Sequence, residues 1–320
     1  MRVLTIPKDK INCLLRDYEI SSNAKISYLQ GGIENINLLI EDGIKKYVLR
    51  IYNNKKINVI KSEIEIIQYL HEKNIPTPII YQNSKGKYYQ KVDDTYAVLF
   101  SFVSGKHIPT KPIKGTLAKD IGFKLANMQK ELINFKPTYK RKCSYANDIS
   151  EFNGKYKSIN TYVKNKRELI IKEIKKIVIT KLRKSTIHSD ITRENILIKG
   201  NKVASFLDFD DFHKDYIVWD TAIAITQLFI TKTFGIDWNG LNEFLKGYTK
   251  VMNLNEYEKE AIIPFLKLRN FRLAMQVNYM RNVGREKNKH LKSIEESVLN
   301  KMNQIEKNEK KLKKIILSIT

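Results

Sequence analysis

Cysteine is nearly missing from this chain: Cys13 and Cys143 are the only two in 320 residues, far apart and outside any C-x-x-C spacing. That excludes a disulfide-stapled scaffold and a structural zinc site, and it fits a reducing, cytoplasmic setting. Proline (7) and glycine (13) are too scarce for a collagen-like or low-complexity chain. Long uncharged apolar runs are missing as well. The opening MRVLTIPKDK meets Pro7, Lys8 and Asp9 before an apolar core of signal-peptide length can form. Val218 to Ile236, the most apolar later stretch, carries Asp220, Gln227 and Lys232, so it reads as a buried helix and no membrane partner is expected.

Acid is also in short supply. There are 34 Asp and Glu against 58 Lys and Arg, a net charge of +24. Such an excess fits either a polyanion partner or a general lysine bias. Only 11 of the 58 basic residues are Arg, and the lysines are scattered through every segment. No zinc-finger spacing, helix-turn-helix pattern or RNA-stacking aromatic signature accompanies them. Scattered charge of this kind governs solubility and non-specific contacts, so no specific nucleic-acid partner is expected. A basic nucleic-acid-binding protein stays open as an alternative.

What the chain does have is an ordered change of pattern. Ile26 to Leu29, Asn37 to Glu41 and Tyr47 to Tyr52 read as short strands, with Gly31-Gly32 and Asp42-Gly43 as turns between them. A helix is predicted from about Val59 to Glu72, and strands from Tyr88 to Val92 and Tyr96 to Phe102. The first hundred residues thus read as strands with one helix. Ser104-Gly105 breaks the pattern, and the boundary between two lobes, 1–102 and 103–320, is placed there. From Ile113 the apolar period becomes helical through Leu117, Ile121, Leu125 and Met128, in a lysine-rich region running to about residue 182. A strand-rich island spans Thr186 to Phe209. Helices follow around Thr221 to Phe229, Leu241 to Val251 and Glu256 to Arg281. The tail 285–320 carries the stripe Leu291, Ile294, Val298, Met302 and Ile305, a terminal helix that packs one edge.

The island holds the chemistry. It reads IHSDITREN from Ile187, then an apolar run, Gly200-Asn201, a second apolar run, and Asp208. Gly-Asn between apolar runs predicts a hairpin. Asn195 then precedes its first strand and Asp208 follows its second, offset by only about 7 Å along the strands. Two oxygen-bearing side chains so placed suit a hard divalent cation. Asp190, on the loop entering the hairpin, is placed to orient a hydroxyl or accept its proton. His-x-Asp-x-x-x-x-Asn followed by a metal-binding Asp is a pattern that suits phosphoryl transfer, which needs positioning and charge neutralisation above all.

That template requires partners upstream. The strand Tyr47 to Tyr52 offers Arg50 as a phosphate-gripping base. On the following helix Ile60, Ile64, Ile67 and Leu70 share a face, and Glu63 falls in the middle of it. A lone Glu on an apolar stripe is costly unless paired, so Glu63 is expected to meet Arg50. The Gly31-Gly32 loop is a candidate phosphate cover through its backbone N–H groups. Ser101 to Val103, joining the lobes, is the candidate adenine-reading hinge.

With these residues in place the chain resembles the aminoglycoside phosphotransferase and choline kinase-like family through GGIENINLLI, YVLRIY, SEIEIIQYLHEKNIPTP, VLFSFVSG, IHSDITRENILI and FLDFDD…WD. The resemblance implies an α+β, two-lobed protein-kinase-like fold, with a small antiparallel-sheet N-lobe and a larger, mainly helical C-lobe. It implies a cytoplasmic small-molecule kinase using ATP and Mg2+, with Asp190 catalytic, Asn195 and Asp208 as metal ligands, and His188 and Asp220 as structural supports. Asp208-Phe209 is followed by Asp210 rather than glycine and no APE segment appears, which separates the chain from regulated protein kinases. Asp210 and Asp211 read as solvated loop acids.

Within the family the chain is similar to homoserine kinases of this fold, in GGIENINLL and in LRNFRL at Leu268 to Leu273. Arg269 and Arg272, one turn apart, would face a substrate carboxylate or form salt bridges. The acceptor is read as homoserine or a related amino alcohol, with an aminoglycoside or other antibiotic as the alternative. The chain is expected to act as a monomer or homodimer. An inactive scaffold of the same fold is the non-enzyme alternative.

Overall fold

The computed structural model describes residues 6–29, 35–139, 161–282 and 289–318. Among these, the chain forms two compact units. The first comprises residues up to Gly105 together with Pro137–Tyr139 and Ala204–Asp210; the second holds the remainder.

The first unit is built on a five-stranded antiparallel sheet of β1 (Lys25–Tyr28), β2 (Ile36–Asp42), β3 (Lys45–Ile51), β4 (Gln90–Val92) and β5 (Thr95–Ser101), in the order β1-β2-β3-β5-β4. Alternation along the strands sorts its two faces. Leu38, Ile40, Leu49, Ile51, Ala97 and Leu99 point to one side, where Ile11, Leu14 and Leu15 of α1 (Lys8–Arg16) complete a core. Arg50 points to the other, beside α2 (Ile57–Glu72). The expected Asp42-Gly43 hairpin is present, with Asp42 opposite Lys45, Gly43 at φ +60° and Ile44 at an exposed tip. The reading of one helix in this region is corrected by α1. Its nine residues carry the i, i+3, i+4 triplet Ile11, Leu14 and Leu15, too short a period to stand out beside strands.

The second unit is mainly helical. Helix α3 (Gly115–Leu132) crosses α6 (Trp238–Thr249) closely because Gly122 and Gly247 face it on either side. A methyl group at Gly122 would collide with the Phe244 carbonyl, and one at Gly247 with the Lys119 carbonyl. Between them in sequence come α4 (Thr161–Ile174) and α5 (Ile217–Phe229), the latter buried around almost its whole circumference, as its apolar composition requires. Strand β6 (Lys106–His107) joins β8 (Ile196–Lys199) and β9 (Lys202–Phe206) in a three-stranded sheet, with Gly200 at φ +63° in the β8–β9 turn. β7 (Lys184–Ile187) pairs with β10 (His213–Tyr216), and β11 (Ile230–Thr231) with β12 (Gly235–Ile236).

Helix α7 (Glu256–Asn282) is followed by α8 (Lys289–Lys307) and α9 (Glu309–Leu317), so the tail is two helices broken at Asn308 rather than one. Val298, Met302 and Ile305 bury the expected stripe. The same helix sends Lys301 inward. Its Nζ donates to Gln227 Oε1 at 2.8 Å, and burial, aided by Arg269, lowers its pKa from 10.5 to about 8. Because the folded pKa lies below the unfolded one, the unfolded chain binds the extra proton between these values and stability from this group rises with pH there. Lys301→Met should therefore be more stable than the parent at pH 7, with the advantage shrinking between pH 8 and 10.5. Urea midpoints across that range test it, and a constant difference would show that Lys301 is not a desolvated cation.

Candidate active site

In the first unit, one guanidinium is shared among three acceptors. Arg50 Nη1 donates to Glu63 Oε1 at 2.8 Å and to Asp208 Oδ1 at 3.2 Å, while its Nε donates to Asn37 Oδ1, on the facing residue of β2, at 3.1 Å. The guanidinium lies 5.5 Å from the ring centroid of Phe100 on the neighbouring strand. Glu63 is 1% exposed. Burial pushes its carboxyl up to about 7; Arg50 pulls the other way, and Asp210 and Asp208 add to the rise. For Arg50, burial opposes the charge, yet Glu63, Asp208 and Asp210 outweigh it and hold the pKa above the ordinary value.

Asp208 leaves β9 at φ +63°, an uncommon conformation for a side chain with a Cβ, and starts the turn Phe209–Asp211. Its carboxylate is 40% exposed. Asp210, read from sequence as solvated, is buried: Asn35 Nδ2 donates to its Oδ2 at 3.1 Å and Lys55 Nζ pairs with the same oxygen. Its Oδ1 is buried with no hydrogen-bond partner among the described residues. Asp211 is exposed, as read.

In the second unit, the loop after β7 is fixed by a buried acid. Asp220, at the start of α5 and fully buried, accepts from the His188 N–H at 3.1 Å and the Ser189 N–H at 2.8 Å. Ser189 is held at φ +72°. Burial raises the Asp220 pKa, with His188 and the two N–H groups opposing. The Asp190 N–H donates to His188 Nδ1 at 3.3 Å. Asn195 Nδ2 donates to Asp190 Oδ2 at 2.8 Å and to the Asp190 carbonyl at 3.0 Å, so its own amide oxygen is turned away from Asp190. Arg193 was not singled out from sequence. It anchors the loop by donating to the carbonyls of Pro109, Lys111 (2.9 Å) and Leu228.

Of the arginine pair, Arg269 lies 3.5 Å from Asp190 Oδ1, whereas Arg272 is laid over the Trp219 ring, 5.6 Å from its centroid. The Arg269 Nε is buried with no partner among the described residues. Ser101 closes β5. Its N–H donates to the Ile79 carbonyl at 2.8 Å and its Oγ accepts from the Ile79 N–H at 2.9 Å, and the Phe102 N–H donates to Lys46. The Ser101 and Phe102 N–H groups of the expected hinge are thus committed to neighbouring carbonyls. Gly31 and Gly32 lie outside the described residues.

Among the described residues no group of three or more His, Cys, Asp or Glu side chains is arranged to hold a metal alone. Taken singly, the partly exposed Asp208 carboxylate of the first unit and the Asn195 amide of the second are donors of the kind that suits a hard cation taking most of its oxygens from phosphates and water. No helix among these residues is long and apolar enough to cross a membrane.

Comparison with known proteins bears on the family and the fold. A family model described as the phosphotransferase enzyme family matches residues 25–250. A homoserine kinase of Zymomonas mobilis is 26% identical over 243 residues, covering 74% of this chain and 75% of that protein. One from Methylobacillus glycogenes is 23% identical, covering 81% and 80%. Among solved structures, a microcompartment-associated aminopropanol kinase aligns with a TM-score of 0.74 at 16% identity over 98% of this chain and 100% of its own. The amicoumacin kinase hAmiN, solved in complex with AMP-PNP, Ca2+ and Ami, aligns with a TM-score of 0.71 at 16% identity, covering 92% of this chain and 93% of its own. The fold is thus the expected α+β, protein-kinase-like one.

Asp220→Ala would strip acceptors from two backbone N–H groups at a fully buried position. A loss on the order of 3 kcal/mol is expected in denaturant unfolding. Parental stability in that variant would show that the loop is held by something else.

Proposed function

The chain belongs to the phosphotransferase enzyme family, and we propose that it is a kinase that moves the γ-phosphate of ATP to a hydroxyl of a small molecule, homoserine or a related amino alcohol. The observation that carries this reading is the Asp190 carboxylate, gripped by Asn195 at 2.8 Å on a loop whose backbone is fixed by buried Asp220. Such a loop holds one carboxylate in a set direction, which is what orienting an acceptor hydroxyl demands.

In the proposed mechanism Asp190 accepts a hydrogen bond from the substrate hydroxyl and takes its proton as the oxygen attacks phosphorus. The bond between the γ-phosphorus and the bridging oxygen breaks, and ADP departs. Arg50, oriented by Glu63, holds inner phosphate oxygens. Asn195 and Asp208 are the proposed magnesium ligands, and a divalent cation held by them would neutralise phosphate charge. His188 supports the loop by accepting the Asp190 N–H at Nδ1.

The acceptor rests on the relatives named homoserine kinase and on the aminopropanol kinase of the same fold. Arg269 supports an acceptor bearing a carboxylate, because its guanidinium already lies beside Asp190. The amicoumacin kinase favours the alternative of an antibiotic acceptor. Asp190→Asn should lower turnover by about a hundredfold or more while nucleotide affinity stays near that of the parent. Unchanged turnover would remove Asp190 from the catalytic role.

A further inference from the structure

Nothing in the fold accounts for Lys301. It is a buried ammonium, 8% exposed, and among the described residues its one hydrogen bond goes to the neutral amide oxygen of Gln227 at 2.8 Å. Two of its three donors are unused there, and no carboxylate pairs with it. Burial and the neighbouring Arg269 and Arg193 all disfavour its charge, while Glu194, itself exposed, favours it. A cation desolvated without a carboxylate partner lowers stability. Groups kept under such strain collect at functional sites.

Its place on α5 says which site. Gln227 comes seven residues after Asp220, on the same face of the helix and about 10 Å further along it. Asp220 is the acid that pins the backbone of His188 and Ser189. The same loop reaches the far end of α5, because Arg193 donates to the carbonyl of Leu228, next to Gln227. Helix α7 docks at this turn through Asn270, whose Nδ2 donates to Thr226 Oγ1 at 2.8 Å. The residue before Asn270 is Arg269, 3.5 Å from Asp190. Thr226, Gln227 and Leu228 thus gather the Asp190 loop, Arg269 and Lys301 around one turn. Arg269 donates no hydrogen bond among the described residues, and its Nε is buried and unpartnered. Two cations with unused donors, Arg269 at 20% exposure and Lys301 buried, suit an anionic group on a molecule whose other end meets Asp190.

We propose that Lys301 and Arg269 together receive the carboxylate of an amino-acid acceptor, which makes Lys301 a specificity-determining residue for the transfer. This inference rests on the kinase reading above and narrows its acceptor to one that carries a carboxylate. A lysine kept only to settle the end of α5 would make no distinction between acceptors with and without that group.

The test is steady-state transfer from ATP with Mg2+ by the full chain to homoserine and to 3-amino-1-propanol, which keeps the amine and the hydroxyl but lacks the carboxylate. Lys301→Met should raise KM for homoserine roughly tenfold or more and leave the kinetics with aminopropanol near those of the parent. Its urea midpoint at pH 7 should be no lower than the parent's, which separates the loss from unfolding. Arg269→Met should show the same preference between the two acceptors. Equal losses with both acceptors, or unchanged homoserine kinetics in Lys301→Met, would overturn the proposal and leave the kinase reading intact. So would a parent that uses acceptors without a carboxylate as well as homoserine. A parent that phosphorylates no alcohol would overturn the kinase reading and this inference together.

Discussion

One buried guanidinium organises the first unit. Arg50 stands on the sheet face away from the α1 core, and three acids from different parts of the chain lie within its field: Glu63 on α2, Asp208 after β9 and Asp210 in the turn beyond. Removing a carboxylate from water is costly unless charge and hydrogen bonds replace the lost solvation. Arg50 serves Glu63 and Asp208 while Lys55 serves Asp210, and burial still raises the Glu63 pKa, with Asp210 and Asp208 adding to the rise.

The second unit uses a buried acid differently. Asp220 spends its oxygens on backbone N–H groups, holding Ser189 in a left-handed conformation and so setting the direction of Asp190. Asp190 and Arg269, on which the proposed substrate contacts rest, lie 3.5 Å apart. The net charge of +24 takes no part in this. The acids that matter are gathered locally, inside a chain whose surface is rich in lysine.

Much of this was legible in the sequence where the signal was periodic or local. Glu63 could be found because helical spacing put it on an apolar stripe, where only a partner makes it affordable. The hairpin around Gly200-Asn201 was readable from its turn, and IHSDITREN from its spacing. α1 escaped because a single turn-and-a-half of apolar period competes poorly with neighbouring strands, and β6 and β10 because two to four residues carry no pattern. Asp210 was misread because consecutive acids after a strand usually face water; its burial follows from Asn35 and Lys55, which reach it from far away in the sequence. Arg193 and Lys55 have long side chains whose partners are chosen by tertiary structure alone, and no spacing rule reveals them.

The central claim is phosphate transfer to a small alcohol. Its most direct measurement is incubation of the chain with Mg2+ and γ-labelled ATP across homoserine, other amino alcohols, choline, sugars and aminoglycosides, followed by separation of labelled products. Transfer of label to one acceptor class, with homoserine or a close amino alcohol foremost, is the predicted result. Label that stays in ATP with every acceptor, from a chain that also releases no phosphate, would contradict the account.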